Sequence, residues 1–239
     1  MNMKFVTPDL IDKRIVFASA KLENDGFVKV EKAENANFVL LGVNPDKESL
    51  KYDIPTFAGN IRADNVFDYT KNEGFALKNA YLTAEGAIAL AVSQSEKSLV
   101  NARVFITGYG RIAKALQRYL EPYTRQIEIC ARSVDALTLA EATGAVPVAI
   151  NTLSEHLEQD FIFNTVPHPL FNSQELSKID SGTLLIDLAS FPGGVDKHSA
   201  RAKGIHLLEA RGLPAKYSPQ SAGTVVAEAV EEMLKEVFH

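Results

Sequence analysis

An α/β fold is what the sequence predicts: a doubly wound parallel sheet with a smaller N-terminal α/β lobe. Three observations carry that prediction. From Arg103 onward, short β-branched and aromatic runs alternate with helical patterns, as they do in βαβ units. Two of those runs, residues 161–166 and 183–188, are apolar almost throughout, as strands covered on both faces are. The first run ends on a glycine and leads directly into an amphipathic helix.

Taken in order, residues 103–107 form the first strand of this region, ended by Gly108. Ile112, Ala113, Leu116, Tyr119 and Leu120 then recur at helical spacing. Residues 127–130 read as a second strand and 134–143 as a helix stopped by Gly144. A third strand spans 146–150, and a short helix capped by Ser154 follows. Strands four to six are 161–166, 183–188 and 205–209, with helical patterns near 173–178 and 198–203 between them. Ahead of this region, residues 14–18, 37–41 and 54–57 read as strands, and the polar stretch 59–74 has no assignment. Thr83 starts a helix that carries Ala87, Ile88, Ala91 and Val92 and ends near Ser98. A last helix, about 222–237, has Val226, Val230, Met233, Leu234 and Val237 on one face. The expected organisation is an N-terminal lobe on the substrate side (1–98), a nucleotide-binding domain (99–218), and a C-terminal helix (219–239) packing back toward the N-terminal lobe.

Composition narrows the function. The chain has 239 residues, 46% apolar and 23% charged, enough for one large or two small globular domains and unlike a disordered or collagenous chain. A net charge of −5 without a Lys/Arg block argues against a nucleic-acid surface. The single cysteine, Cys130, excludes a disulfide framework and fits a reducing cytoplasm. The opening residues lack the apolar stretch of a signal peptide, and no apolar run is long enough to span a membrane. His156, His198, His206 and His239 have no metal-ligand spacing, so no metal is expected.

Gly108-Tyr109-Gly110-Arg111-Ile112-Ala113 matches G-x-G-x-x-G/A, and its strand–turn–helix setting makes it a Rossmann-type nucleotide turn. The first glycine makes the tight bend, the second leaves room for a pyrophosphate, and Ala113 allows close helix–strand packing. Amides of Arg111 and Ile112, in the first helical turn, then face the phosphates. About 20 residues further on, where an NAD site usually has a carboxylate on the ribose hydroxyl, the chain reads Ala131-Arg132-Ser133. A guanidinium suits a 2′-phosphate, so NADP is the expected cofactor; Asp135 close by keeps NAD as an alternative. Two later strand ends, Asn164-Thr165-Val166-Pro167 and Asp187-Leu188-Ala189-Ser190, are expected to wall the nicotinamide side. Cofactor contacts are assigned there to Asn164, Thr165, Val166, Pro167, Asp187 and Ala189.

Four motifs together resemble the dipicolinate synthase A-subunit family. They are Asn79-Ala80-Tyr81-Leu82-Thr83-Ala84-Glu85-Gly86-Ala87-Ile88; the glycine turn with Ala131-Arg132-Ser133; Leu185-Ile186-Asp187-Leu188-Ala189-Ser190-Phe191-Pro192-Gly193-Gly194; and residues 211–223, from Arg211-Gly212-Leu213-Pro214 to Pro219-Gln220-Ser221-Ala222-Gly223. They run in order from about residue 72 to the C-terminus. The resemblance implies an NADP-linked oxidation of dihydrodipicolinate to dipicolinate during sporulation, carried out with a flavoprotein-like B-subunit. Such a reaction removes a hydride and a ring proton and needs two carboxylates held in place. Glu85, inside a shared motif, is the first candidate base; His168, between Pro167 and Pro169, is the second. Helix N-termini at Thr83–Gly86 and at Ser221-Ala222 are the expected carboxylate sites. Gly193 and Gly194 would let backbone approach the substrate, and Arg211 would meet a carboxylate, as would Lys216. A homo-oligomer is expected. Two alternatives stay open: a different small-acid dehydrogenase, or a nucleotide-binding scaffold protein without turnover.

Overall fold

The structure is a computed structural model and describes residues 3–8, 11–46 and 48–238. His239 lies outside the described residues. In chain order the elements are β1 (Lys4–Val6), α1 (Lys13–Asn24), β2 (Val28–Lys29), β3 (Phe38–Val43), β4 (Thr56–Gly59), β5 (Val66–Asp68) and α2 (Glu73–Gln94). They continue with β6 (Val104–Thr107), α3 (Arg111–Leu120), β7 (Ile127–Ala131), α4 (Val134–Ala142), β8 (Val146–Ala149) and β9 (Phe161–Asn164). The last are α5 (Ser173–Leu176), β10 (Leu184–Asp187), α6 (Lys197–Ala202), β11 (His206–Glu209), α7 (Leu213–Tyr217) and α8 (Pro219–Val237). Two compact units emerge, Met1–Leu82 with Pro214–His239 and Thr83–Leu213. The divisions therefore fall at 82/83 and 213/214, where the sequence pattern suggests 98/99 and 218/219.

The first unit is a five-stranded parallel sheet in the order β2-β1-β3-β4-β5. Its core is aromatic: Phe5 stacks on Phe38 at 5.6 Å, and Phe38 meets the edge of Phe57 at 5.5 Å. Ile15, Ala18 and Leu22 of α1 and Val226, Val230 and Leu234 of α8 close over these rings. Helices α1 and α8 approach closely at Gly223, where a Cβ would lie 2.5 Å from the Arg14 carbonyl oxygen and 2.6 Å from Phe17 Cβ.

Four expectations are corrected here. Residues 14–18 lie in helix α1, not in a strand. Their β-branched run suggests a strand, but Ile15, Ala18, Ser19 and Leu22 fall on one helical face and Asp12 caps the start through the Arg14 amide. Helix α2 starts ten residues ahead of Thr83, at Glu73, because Asn72 accepts a bond from the Phe75 amide (2.8 Å). Thr83 and Gly86 are thus mid-helix and buried, and no helix N-terminus exists there. Helix α8 starts at Pro219, whose missing N–H suits the first helical position. Ser221 is inside it, and the Ala222 amide already donates to the Ser218 carbonyl (2.9 Å). Ser154 lies within a 3₁₀ turn, Ile150–Glu155, instead of capping a helix.

The second unit is a six-stranded parallel sheet in the order β11-β10-β9-β6-β7-β8, with the reversal between β6 and β9. Alternation explains its double covering. Val104, Ile106, Phe161 and Phe163 face one apolar layer with Ala113 and Leu116 of α3; Phe105, Ile162 and Leu185 face the other with Phe171 and Leu176. The strands here follow their sequence-based spans to within one or two residues: five are trimmed, and β7 runs one residue further, to Ala131. Among the described residues, no helix is long and apolar enough to cross a membrane, and no group of three His, Cys, Asp or Glu side chains could hold a metal.

Candidate functional site

In open α/β sheets, ligands bind outside the carboxyl ends of the strands where the order reverses. In the second unit that point lies between β6 and β9, and the glycine turn leaves β6 there. Gly108 has φ +81°, and a Cβ on it would sit 2.7 Å from Thr165 Oγ1 and 2.9 Å from a Val166 methyl. Only glycine satisfies both the bend and the approach of the β9 end. Gly110 differs: its φ is −82°, and a Cβ there would meet nothing within 4 Å. As the N-cap of α3 it offers no side chain to the first-turn amides of Ile112 and Ala113, which leaves a cradle of N–H groups at the positive helix end. Ala113 is fully buried against the sheet.

Beside this turn is a cleft of about 220 Å³. Gly108, Tyr109, Arg132, Ser133, Val166 and His168 line it, and Ile150 and Leu170 supply apolar wall. Arg132 and Ser133 are exposed at the end of β7, and Ser133 Oγ accepts from the Ala136 amide (3.4 Å), so its hydroxyl proton remains available to donate. Tyr109 is held in the lining by its hydroxyl, which donates to Gln117 Oε1 (2.6 Å) and lies 2.7 Å from Thr143 Oγ1. Cys130 also borders the cleft, and burial pushes its thiol up to about 12, so it stays protonated at neutral pH. These residues fit a dinucleotide: open space over Gly110, uncapped amides, and a cation with a hydroxyl at the end of the second strand.

The two later strand ends form one buried polar network. Thr107 Oγ1 donates to Asn164 Oδ1 (2.5 Å), and Asn164 Nδ2 donates to Asp187 Oδ1 (2.7 Å) and to the Val166 carbonyl (3.1 Å). Asp187 further accepts from the amides of Ala189 (3.2 Å) and Gly194 (3.2 Å). The adjacent Gly193 has φ +94°, and its Cβ would lie 2.7 Å from Asp187 Oδ2; a Cβ on Gly194 would strike the Val166 carbonyl at 2.6 Å. Arg211 donates through Nε to the Ala189 carbonyl (3.3 Å) and through Nη2 to the Pro192 carbonyl (3.4 Å), with its guanidinium 6.0 Å from the Phe191 ring. Asn164, Asp187, Gly193, Gly194 and Arg211 therefore hold the 189–194 loop against β9. The sequence does not reveal this, because the partners are scattered from 107 to 211.

Among the candidate bases, His168 lines the cleft beside the glycine turn. Glu85 does not. It lines a separate cleft with Ile88, Tyr119 and Tyr123, at the far end of α3 from the glycine turn. Tyr109, Ile150 and Leu170 line the cleft beside the glycine turn without having been expected there; the two aliphatic ones carry no chemical signal, and only the strand order brings them together.

Several solved structures share this fold. The dipicolinate synthase A-subunit from Bacillus halodurans has a TM-score of 0.86 at 22% identity, covering 98% of this chain and 97% of that one. A Sinorhizobium meliloti transhydrogenase has 0.77 at 14% identity, covering 98% and 94%, and an L-alanine dehydrogenase 0.69 at 12%, covering 97% and 89%. No family model matches the chain. Fold and cleft define an α/β protein of two parallel sheets, with the fold that these structures share. A curated relative, the dipicolinate synthase A-subunit of Bacillus subtilis, is 32% identical over 168 residues, which are 70% of this chain and 57% of that protein. The chain belongs to the dipicolinate synthase A-subunit family.

Proposed function

We propose that the protein binds NADP in its second unit and catalyses the NADP-linked oxidation of dihydrodipicolinate to dipicolinate in sporulating cells, working with a B-subunit partner. One observation carries the reading: Gly108 and Tyr109, which lead into the uncapped α3 N-terminus, border the same cleft as the Arg132–Ser133 pair and His168. The amides of Ile112 and Ala113 hold the diphosphate. Arg132 forks onto the 2′-phosphate, and the Ser133 hydroxyl donates to it. Bound NADP supplies the hydride acceptor. Val166, Pro167, Thr165 and Ala189 shape the nicotinamide side, and the Asn164–Asp187 network keeps that wall rigid. His168 accepts the ring proton released as the dihydropyridine becomes aromatic, so one hydride and one proton leave together.

Arg132→Ala tests the cofactor assignment. In fluorescence titrations it is expected to weaken NADPH binding by about tenfold or more, the worth of a charge-assisted hydrogen bond, and to leave NADH binding nearly unchanged. Equal losses would refute the NADP preference. Turnover is tested by following dipicolinate absorbance with NADP and a family B-subunit. Nucleotide binding without product, partner included, would favour the scaffold reading.

A further inference from the structure

In the first unit, β4 and β5 are parallel neighbours, yet only residues 60–65 connect them. Parallel crossovers normally take a dozen or more residues, usually including a helix. No helix covers this connection, and a cleft of about 540 Å³ lies beside it, lined by Asn60, Ile61, Arg62, Val66, Asp68 and Lys71. The cleft is built rather than slack. Asn60 adopts φ +56°, its Nδ2 donates to Asn44 Oδ1 (2.5 Å), and its amide donates to Asp68 Oδ1 (2.9 Å).

The charge balance is asymmetric. Among the described residues, Asp68 is the only carboxylate on the lining, and its Oδ1 also accepts from the Thr70 amide (3.0 Å) and hydroxyl (2.5 Å). That carboxylate is committed to capping the turn that carries Lys71. Among the described residues, neither Arg62 nor Lys71 is in an ion pair. Two cations without acidic partners among the described residues, on a chain of net charge −5, make a local field that attracts anions. They come from separate connections and differ in kind: a planar fork suited to one carboxylate, and a point charge suited to another.

We propose that this cleft binds a small organic dicarboxylate, with Arg62 holding one carboxylate and Lys71 the other. The inference rests on the dicarboxylate reading above and assigns residues of the first unit to it. The test is calorimetric titration of the full chain with pyridine-2,6-dicarboxylate, pyridine-2-carboxylate and inorganic phosphate, without and with saturating NADPH. The dicarboxylate is expected to bind at least tenfold more tightly than the other two. Arg62→Gln and Lys71→Gln should each weaken it about tenfold, with unfolding midpoint and NADPH affinity unchanged, since both side chains are exposed. Unaltered affinity in both variants would overturn the proposal, as would tighter binding of phosphate, or no dicarboxylate binding in either condition. Failure of the cofactor reading would show separately, as absent NADPH binding.

Discussion

Gly108 and Gly110 sit two positions apart and answer to different demands. Gly108 is required by the protein itself, because φ +81° and the 2.7 Å approach to Thr165 leave no room for a side chain. Gly110 has an ordinary φ and empty space above it, so only a ligand would require it to be glycine. Gly108→Ala is expected to destabilise the fold by about 2–3 kcal/mol in urea unfolding, from backbone strain plus overpacking. Gly110→Ala should change stability by less than about 1 kcal/mol while weakening NADPH binding about tenfold. A stability loss without a binding loss at Gly110 would contradict the cradle. This turn is legible in the sequence because its residues are contiguous. The Asn164–Asp187–Gly194 network is not, since hydrogen-bond partners far apart in the chain leave no local pattern.

Among the elements, the strands of the second unit are readable because they are apolar on both faces and punctuated by glycine. Helix α1 reads wrongly as a strand: Ile15, Val16 and Phe17 favour strands by propensity, and packing against the aromatic core overrides that preference. Helix α2 reads too short because its cap, Asn72, lies in a polar stretch without periodicity. Ala222 and Gly223, within a motif shared with the family, are both buried, Gly223 at the α1–α8 crossing. Gly223→Ala is expected to cost about 1–3 kcal/mol by thermal or urea unfolding, since backbone of α1 must move. An unchanged midpoint would mean that the helices can part without loss.

For the whole molecule, the second sheet is anticipated by the sequence, but the first is visible there only in part. Strands β1, β2 and β5 are three, two and three residues long, too short to show a period. Charge adds a dependence on pH. Burial, reinforced by the Asp25 carboxylate, raises Glu231 on α8 to about 7. Lys21 of α1 and Glu228 also act on it, and Lys78 of α2 pairs with Glu228. The folded state therefore keeps a proton that the unfolded chain releases near pH 4.5, and stability falls as pH rises from about 4.5 to 7. Asp25, held low by its hydrogen bond to Lys21, acts oppositely, below the ordinary aspartate range. With solvent screening, the Glu231 contribution is on the order of 1 kcal/mol. Glu231→Gln should flatten that decline in urea midpoints measured across the window.

The first unit is assembled from both ends of the chain, whereas residues 83–213 are continuous. Val226, Val230 and Leu234, which seal the rings of Phe5, Phe38 and Phe57, are the last of these to leave the ribosome. During synthesis the middle unit can mature early, while the N-terminal strands wait, greasy and unroofed, for α8 to emerge. That interval is when a nascent chain of this architecture is most exposed to chaperone capture or aggregation.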